Sequence, residues 1–559
     1  MSYPHLIQPL IIEDDPGAHF LYDLCFSPLI NERVVAPAHY AYCYEDAIRE
    51  LDSNTIFHLV ILDLRLPECP GIPPQDGVDF GLGILEQCVK RDRYPIPALL
   101  VISGHIGQAK QRELEARVRN GFWHGRVLVK GSDMEEELRA AVKDVQSYCS
   151  IGIHIRDSGD KVFPTLSPRE DDLLRRCALN QEGCTGLDLD WWSAEFQRPT
   201  GQLAHCMGWT KTLIGQFLLD GGDKASRPNF FKLAPAGGAE AVLSSAKRMQ
   251  HKLSHIKVRS DIIADTRCLL VTEKVGSGHD RPISLSTYLT QKIDGATERL
   301  SKVVQDVASQ VAALGDSTPR TATVSSLLWA WHDKARLEEQ WQAYGGASLL
   351  DEFGLEADPL KMYDAVSTNT NLVRYEQQTF LHGDLNITNI ALDQTIGGVT
   401  AYIFDAEGCG PGVNVRDLAM LEVTALLHQP TSIKDSLVRQ CTSLYDDTIS
   451  VPDSYEDCGS SELGRNTFKL IAEIRAQALT RAKLNIYVLM VFDSAMLQLG
   501  GLAYTVSRNK IINPRDAVLL ASLTSRWLLK VAGDLVHDCR TDIGASAMTG
   551  APYREATVK

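Results

Sequence analysis

Several common features are missing from this 559-residue chain. Its 13 cysteines include no C-x-x-C pair and no Cys/His cluster, which argues against structural zinc and against a disulfide framework. Reduced, mostly buried thiols are expected instead. There is no uninterrupted apolar run of about 18 residues, so no membrane span is expected. The opening "MSYPHLIQPLIIEDD" has no basic leader and soon turns acidic, so it does not read as a signal peptide, and a cytoplasmic setting is expected. Positive charge is also short. Lys and Arg number 56 against 71 Asp and Glu, a net charge of -15 that disfavours bulk binding to nucleic acid or an anionic membrane. No internal repeat occurs.

What remains is ordinary globular composition, 44% hydrophobic and 23% charged, on a chain long enough for two to four domains. Residues 1–150 alternate short apolar runs ("QPLII", "ERVVA", "FHLVIL", "IPALLVIS", "GRVLV") with amphipathic helical patterns. Five strands alternating with five helices predict a parallel sheet covered on both faces. Residues 151–209 read as a linker and helical connector, with "SPREDDLLRRCAL" as a helix opened by Ser and Pro. Residues 210–280 carry strand-like pieces around one helix, "GAEAVLSSAKRMQHKL". Residues 281–540 are mainly helical, apart from short paired strands near "HGDLNITNIALD" and "VTAYIFDAEG", and 541–559 read as a loose tail.

Acids cluster at the ends of the N-terminal strands. Glu13 and Asp14 follow the first strand, Asp63 ends the third, Ser103 the fourth and Lys130 the fifth. In an alternating α/β sheet these points share one edge, the edge where ligands bind. Clustered carboxylates want a divalent cation, and oxygen ligands suit Mg²⁺. A facing Lys would pair with an anion, and a small hydroxyl could bond a phosphoryl oxygen. This geometry suits a carboxylate that takes up a phosphoryl group.

The order acid pair, "DLRLP", Ser, Lys closely resembles the receiver domain of bacterial response regulators, over about 140 residues. The resemblance implies a five-stranded parallel sheet of flavodoxin-like order. It also implies that Asp63 is the phosphoacceptor, that Glu13, Asp14 and Asp63 hold Mg²⁺, and that Ser103 and Lys130 contact the phosphoryl group. The partner would be an upstream histidine kinase or another phosphodonor. Three departures stand out: the insertion "ECPGIPPQ" beside the site, Val127 where the family has an aromatic, and Gly131 where it commonly has Pro.

The second constellation is "FLHGDLNITNIALD". His382, Asp384 and Asn389 form H-x-D-x-x-x-x-N, and Asp405 follows an apolar strand in "YIFDAEG". Phosphoryl transfer from ATP needs a carboxylate to orient the attacking hydroxyl and accept its proton. An Asn and a second carboxylate must hold Mg²⁺ against the phosphates. Asp384 suits the first role; Asn389 and Asp405 suit the second, joined by a hairpin at "DQTIGG".

"HGDLNxxNI" with "IFDxEG...RDLAxLE" resembles the aminoglycoside phosphotransferase and choline kinase-like class of the kinase-like fold. No D-F-G triplet follows Asn389. The resemblance implies an α+β bilobal domain with a mostly helical C-lobe, using ATP and Mg²⁺. Asp417 and His382 would be structural. An N-lobe would supply Lys232 toward the phosphates, Glu240 as its partner, and a hinge strand at Glu273 and Val275 whose backbone meets adenine. "LLDGGDKAS" would be the glycine-rich turn, though it lacks a strict G-x-G-x-x-G. Trp329, Trp331, Trp341 and Tyr344 read as helix-packing core, and so do Trp191 and Trp192.

The chain thus reads as a two-component signalling protein whose receiver regulates an ATP-dependent phosphotransferase with a hydroxyl acceptor, a small molecule or a protein. The alternative is a nucleotide-binding pseudokinase scaffold controlled by the receiver. A DNA-binding response regulator is disfavoured, because no clear recognition helix follows residue 179 and the chain is acidic.

Overall fold

The computed structural model describes residues 6–73, 80–90, 95–104, 108–130, 134–155, 166–181, 183–190, 213–220, 229–235, 239–263, 267–273, 283–290, 296–329, 332–395, 398–404, 410–428, 437–440, 442–445, 462–505 and 512–532. The chain forms two compact units. One is Met1–Trp192 with Cys206–Leu243 and Val258–Lys274; the other is Ser193–His205 with Ser244–Lys257 and Val275–Lys559.

The first unit begins with β1 (Pro9–Ile12), α1 (Pro16–Asn31), β2 (His39–Ala41), α2 (Tyr44–Asp52) and β3 (Leu59–Asp63). It continues with α3 (Phe80–Lys90), β4 (Ala98–Ser103), α4 (Gln108–Gly121), β5 (His124–Val129) and α5 (Met134–Ser150). The five strands form one parallel sheet in the order β2-β1-β3-β4-β5. Every residue of β3 is buried, because helices cover both faces and leave two apolar cores, one on each side. The second strand is "HYA", not the expected "ERVVA". Helix α1 runs to Asn31 and Arg33 turns the chain with φ of 58°, so Val35 makes only an isolated bridge to Ile7.

A second sheet follows. It is built from β6 (Gly152–Ile155), β7 (Gly186–Asp190), β8 (Leu213–Asp220), β9 (Asn229–Pro235), β10 (Val258–Ile263) and β11 (Arg267–Glu273), in the order β10-β11-β9-β8-β7-β6. The segment expected to be a connector therefore supplies two strands. Its "GIHI" and "GLDLD" pair in parallel, and β7 joins β8. Between them lies α6 (Pro168–Leu179), capped by a reciprocal Ser167/Glu170 box.

Helix α6 is buried on two sides. Leu173, Leu174, Cys177 and Ala178 pack on the second sheet. Asp172, fully buried, accepts from Tyr148 Oη at 2.9 Å and pairs with Arg176 at 2.9 Å and Arg169 at 3.4 Å. Those guanidiniums donate at 2.8 Å to Gly121 O and Val89 O, in the last turns of α4 and α3. Cations belong there, where helix carbonyls lack partners.

Helix α7 (Ala239–Lys252) follows β9, and its residues from Ser244 onward belong to the second unit. That unit contains β12 (Ile283–Ser284), α8 (Leu285–Thr290), α9 (Ala296–Leu314), β13 (Ser317–Thr323), α10 (Lys334–Ala343), α11 (Gly346–Phe353) and α12 (Pro359–Ser367). The strands β14 (Leu372–Gln378), β15 (Ile390–Thr395), β16 (Gly398–Ile403) and β17 (Gly412–Val413) come next. Helices α13 (Arg416–Leu427), α14 (Leu437–Gln440), α15 (Glu462–Leu479), α16 (Leu484–Thr505) and α17 (Pro514–Val531) complete it. Two small sheets, β12-β15-β16 and β13-β14-β17, sit with this helical bundle. β13 and β14 are absent from the sequence expectation, because "STPRTAT" is largely exposed and shows no apolar alternation.

Helix α16 is apolar enough to cross a membrane over Leu484–Leu502, but 78% of that stretch is buried within the protein core. Around it Glu422 and Arg475, both buried, pair at 2.8 Å. Tyr445 and Tyr487 donate to the same carboxylate at 3.0 and 2.6 Å, and the guanidinium lies 4.3 Å over the Trp527 ring. Every strong acceptor in this core cluster has a donor, which is what makes a buried ion pair tolerable.

Candidate functional site

The loop between β14 and β15 carries the H-x-D-x-x-x-x-N spacing. Its backbone turns sharply at Gly383, whose φ of 80° lies in the left-handed region that favours glycine. The amides of His382 and Gly383 both donate to the Asp417 carboxylate, at 2.8 and 2.9 Å. Asp417 is buried at the start of α13. Burial pushes its carboxyl above the usual range, while His382 and the two amides act against that shift. His382 Nε2 donates to Phe404 O at 2.9 Å. Both residues thus hold the loop from beneath.

Asp384 is half-buried. Asn389 Nδ2 donates to its backbone carbonyl at 2.9 Å and to its Oδ2 at 3.3 Å. Asn386 Nδ2 donates to Oδ1 at 3.3 Å. Sequence reasoning missed Asn386. Its Oδ1 accepts from Thr388 N at 2.9 Å and Asn389 N at 3.2 Å, an Asx turn that sets the loop's shape. The signal for it was the Asn two residues after the Asp in "DLNITN". Phe404 N donates to Asn389 O at 3.0 Å, so the end of β16 is tied to the loop. The hairpin β15–β16 forms as expected. Asp405 lies outside the described residues.

Beside Asp417, the Arg416 guanidinium pairs with the buried Asp493 at 3.2 Å, donates to Leu327 O and lies 4.4 Å over the Trp329 ring. His332 also bonds Asp493, at 2.7 Å. Trp341 is buried, and a Cβ added to Gly346 would fall 2.1 Å from its ring. Trp329 and Trp341 are packing residues; Trp331 lies outside the described residues.

Of the residues assigned to the nucleotide, Lys232 sits mid-β9 between Ile214 and Leu270, only 7% exposed. Glu273 ends β11 opposite Asn229, also buried. Glu240 falls in the first turn of α7, with its side chain outside the described residues. Val275 and the turn at 221–228 lie outside them too. Lys232 and Glu273 belong to the first unit, Asp384 and Asn389 to the second.

At the carboxyl edge of the parallel sheet, Glu13, Asp14 and Asp63 bring carboxylate oxygens within 4.8 Å of one another. Lys130 Nζ lies 2.6 Å from Asp63 Oδ2 and 3.3 Å from Glu13 Oε2. Asp63 Oδ1 accepts from Arg65 N at 3.1 Å. Ser103 is the last residue of β4, paired with Val129, and its side chain lies outside the described residues. Glu13 is buried, its carboxyl pushed up to about 7 by burial and by Asp63, against the pull of Lys130. Burial raises Asp14 as well. For Lys130 burial acts downward, but the Asp63 carboxylate outweighs it and raises the ammonium.

Three acids that repel one another, offset by the one ammonium of Lys130, fit a hard divalent cation such as Mg²⁺. Sequence reasoning missed His19, whose Nε2 donates to Glu13 O at 2.7 Å and steadies the acid loop. It also missed Gly81. A Cβ there would stand 2.4 Å from Leu64 Cα, so only glycine lets α3 come against the residue after Asp63.

No family profile and no curated protein matches this chain. Among solved structures, one similar chain is an aminoglycoside-3'-phosphotransferase of type VIII. It is 18% identical, covers 54% of this chain and 98% of that one, and has a TM-score of 0.26. An ethanolamine kinase of Plasmodium vivax is 10% identical, covers 72% and 95%, and has a TM-score of 0.29. A microcompartment-associated aminopropanol kinase is 13% identical, covers 58% and 90%, and has a TM-score of 0.26. Similarity this low assigns no family.

Proposed function

We propose that the second unit's loop site belongs to an ATP- and Mg²⁺-dependent phosphotransferase, and that the N-terminal parallel sheet is a phospho-Asp receiver regulating it. The observation that carries the first part is the setting of Asp384. Its carboxylate is half-buried and bracketed by the Asn386 and Asn389 amides, while Asp417 fixes the backbone below. A carboxylate so oriented can accept the proton of an acceptor hydroxyl as that oxygen attacks the γ-phosphorus. The bond to the β–γ bridging oxygen breaks, and ADP leaves. Asn389 and Asp405 would hold Mg²⁺, which neutralises phosphate charge when bound. Lys232 would pair with the phosphates, and the backbone at Glu273 and Val275 would meet adenine.

The receiver reading is supported by the acid cluster, by Lys130 on Asp63, and by the 2-1-3-4-5 strand order typical of flavodoxin-like sheets. An Asp63 oxygen would attack the phosphorus of the donor and release the donor's leaving group. Glu13, Asp14 and Asp63 would hold Mg²⁺; Lys130 and Ser103 would meet the phosphoryl oxygens. The phosphodonor would be a histidine kinase or a small acyl phosphate.

The test is ADP formation by the purified chain with Mg²⁺-ATP and a panel of hydroxyl acceptors. Turnover that falls about 10²–10⁴-fold in Asp384→Asn supports the reading. Nucleotide binding with no turnover for any acceptor, and no effect of Asp384→Asn, would replace it with a pseudokinase. For the receiver, acetyl phosphate should label the wild type and not Asp63→Asn. Equal labelling of both refutes it.

A further inference from the structure

Strand β16 ends the sheet β12-β15-β16, so among the described residues one of its edges has no neighbouring strand. Such an edge presents backbone N–H and C=O groups that still need partners. At Ala401 and Ile403, the last two such positions on β16, side chains meet all four of these groups. Asp306 Oδ2 accepts from Ala401 N at 3.3 Å. Gln310, one turn further along α9, donates from Nε2 to Ala401 O at 2.6 Å and accepts from Ile403 N at 3.0 Å. Its carboxamide does what the peptide of a neighbouring strand would do. His255, in the turn between α7 and β10, bonds Ile403 O through Nε2 at 3.0 Å. A carbonyl only accepts, so that nitrogen carries the proton. The His255 ring also lies 5.0 Å from the Tyr402 ring.

Helix α7, which precedes the His255 turn, reaches the segment that enters the catalytic loop. The Arg248 guanidinium lies 5.6 Å over the ring of Phe380, two residues before His382. Ile403 stands two residues before Asp405, and Phe404 between them is held by Asn389 and His382. Four consecutive backbone groups, Ile403 N and O and Phe404 N and O, are therefore each tied to a different residue.

We propose that Gln310 and His255 are positioning residues of the phosphotransferase site. They lock the open edge of β16, so that Phe404 meets Asn389 and His382 in a single register. A strand paired on one side only is free to slip or fray, and a slip of one residue would take Phe404 away from the loop that carries Asn389. The proposal rests on the phosphotransferase reading and on Asn389 as a metal ligand. Neither Gln310 nor His255 is asked to touch nucleotide or acceptor, so their loss should appear in the metal dependence of nucleotide binding.

The test titrates the full chain calorimetrically with a non-hydrolysable ATP analogue at rising Mg²⁺ and reads the Mg²⁺ concentration for half-maximal binding. Gln310→Ala and His255→Phe should each raise it about fivefold, the worth of one typical hydrogen bond. His255→Gln keeps a donor and should return it close to wild type, which a merely space-filling role would not do. Gln310→Glu keeps the acceptor for Ile403 N, loses the donor to Ala401 O, and should give an intermediate value. If Gln310→Ala or His255→Phe fails to fold, the Gln310→Glu and His255→Gln values decide alone. Asp405→Asn tests the underlying reading: if the Mg²⁺ dependence is unchanged, the phosphotransferase site itself is refuted. If Asp405→Asn abolishes the dependence while the Gln310 and His255 variants match wild type, the positioning role alone is overturned. His255→Gln behaving no better than His255→Phe also overturns it.

Discussion

Proton release should accompany Mg²⁺ binding at the N-terminal acid cluster. Glu13 is buried beside Asp63, which pushes its carboxyl up to about 7. Mg²⁺ needs the ionised form, so metal and proton compete. At pH 6 the group is ~90% protonated, at pH 7 about half and at pH 8 ~10%. Binding should therefore release ~0.9, ~0.5 and ~0.1 protons, and apparent affinity should weaken about tenfold from pH 8 to pH 6. Calorimetry in two buffers of different ionisation enthalpy reads the proton count directly, without nucleotide present. The sign also works through stability. A carboxyl raised in the folded state stabilises it fully below the unfolded value of 4.5, and that contribution is lost as pH rises through about 7. Glu13's own share of the loss is roughly 3 kcal/mol, and Mg²⁺ at pH 8 should restore it. Equal affinity at pH 6 and 8 with no proton release would refute a carboxyl raised by burial and by Asp63. Glu13→Gln should remove both the proton release and its pH dependence.

Three further outcomes are expected. Asp417→Asn keeps one acceptor oxygen for two amides, which should cost about 1–3 kcal/mol in thermal unfolding and lower turnover; unchanged stability would show that the loop finds other partners. Arg475→Met should destabilise by about 3–5 kcal/mol, because Glu422 is left charged and buried, whereas the double variant Glu422→Leu/Arg475→Met should recover much of that in urea melts. Gly81→Ala puts a Cβ 2.4 Å from Leu64 Cα, so it should destabilise by about 1–3 kcal/mol and slow acetyl phosphate labelling of Asp63; normal labelling would free that turn of any role.

Much of the parallel sheet was legible because its strands are apolar along their whole length. "LVILD" and "ALLVIS" have no polar face, which only a doubly covered sheet accommodates. The second strand misled, since "ERVVA" is the more β-branched run, yet α1 occupies the chain up to Asn31. Parallel register with β1 then selects His39–Ala41. The strands β6 and β7 are four and five residues long, and only pairing with each other and with β8 makes them strands. Asp384 and Asn389 were candidates through the H-x-D-x-x-x-x-N spacing and Asp417 through the resemblance, and the contacts of all three serve one loop. Gln310 and His255 were not. Nothing local marks a carboxamide that pairs an edge strand 93 residues away, or an imidazole 148 residues from the carbonyl it binds.

The proposed roles of the two acid sites differ in what surrounds the carboxylates. Asp63 is buried against Lys130, with Glu13 and Asp14 beside it, so negative charge is concentrated and one ammonium offsets part of it. That setting favours a cation and, with it, a phosphoryl group whose charge the lysine can share. Asp384 instead accepts hydrogen bonds from the neutral amides of Asn386 and Asn389. Neutral donors orient a carboxylate without pinning its charge as tightly as an ammonium does. Replacing Asn389 by Lys should therefore do more than remove a metal ligand. The new ammonium would lower the Asp384 carboxyl and weaken it as a base. Turnover should fall even at saturating Mg²⁺, and its alkaline limit should not move. A full rescue by Mg²⁺ would mean that Asn389 serves the metal alone.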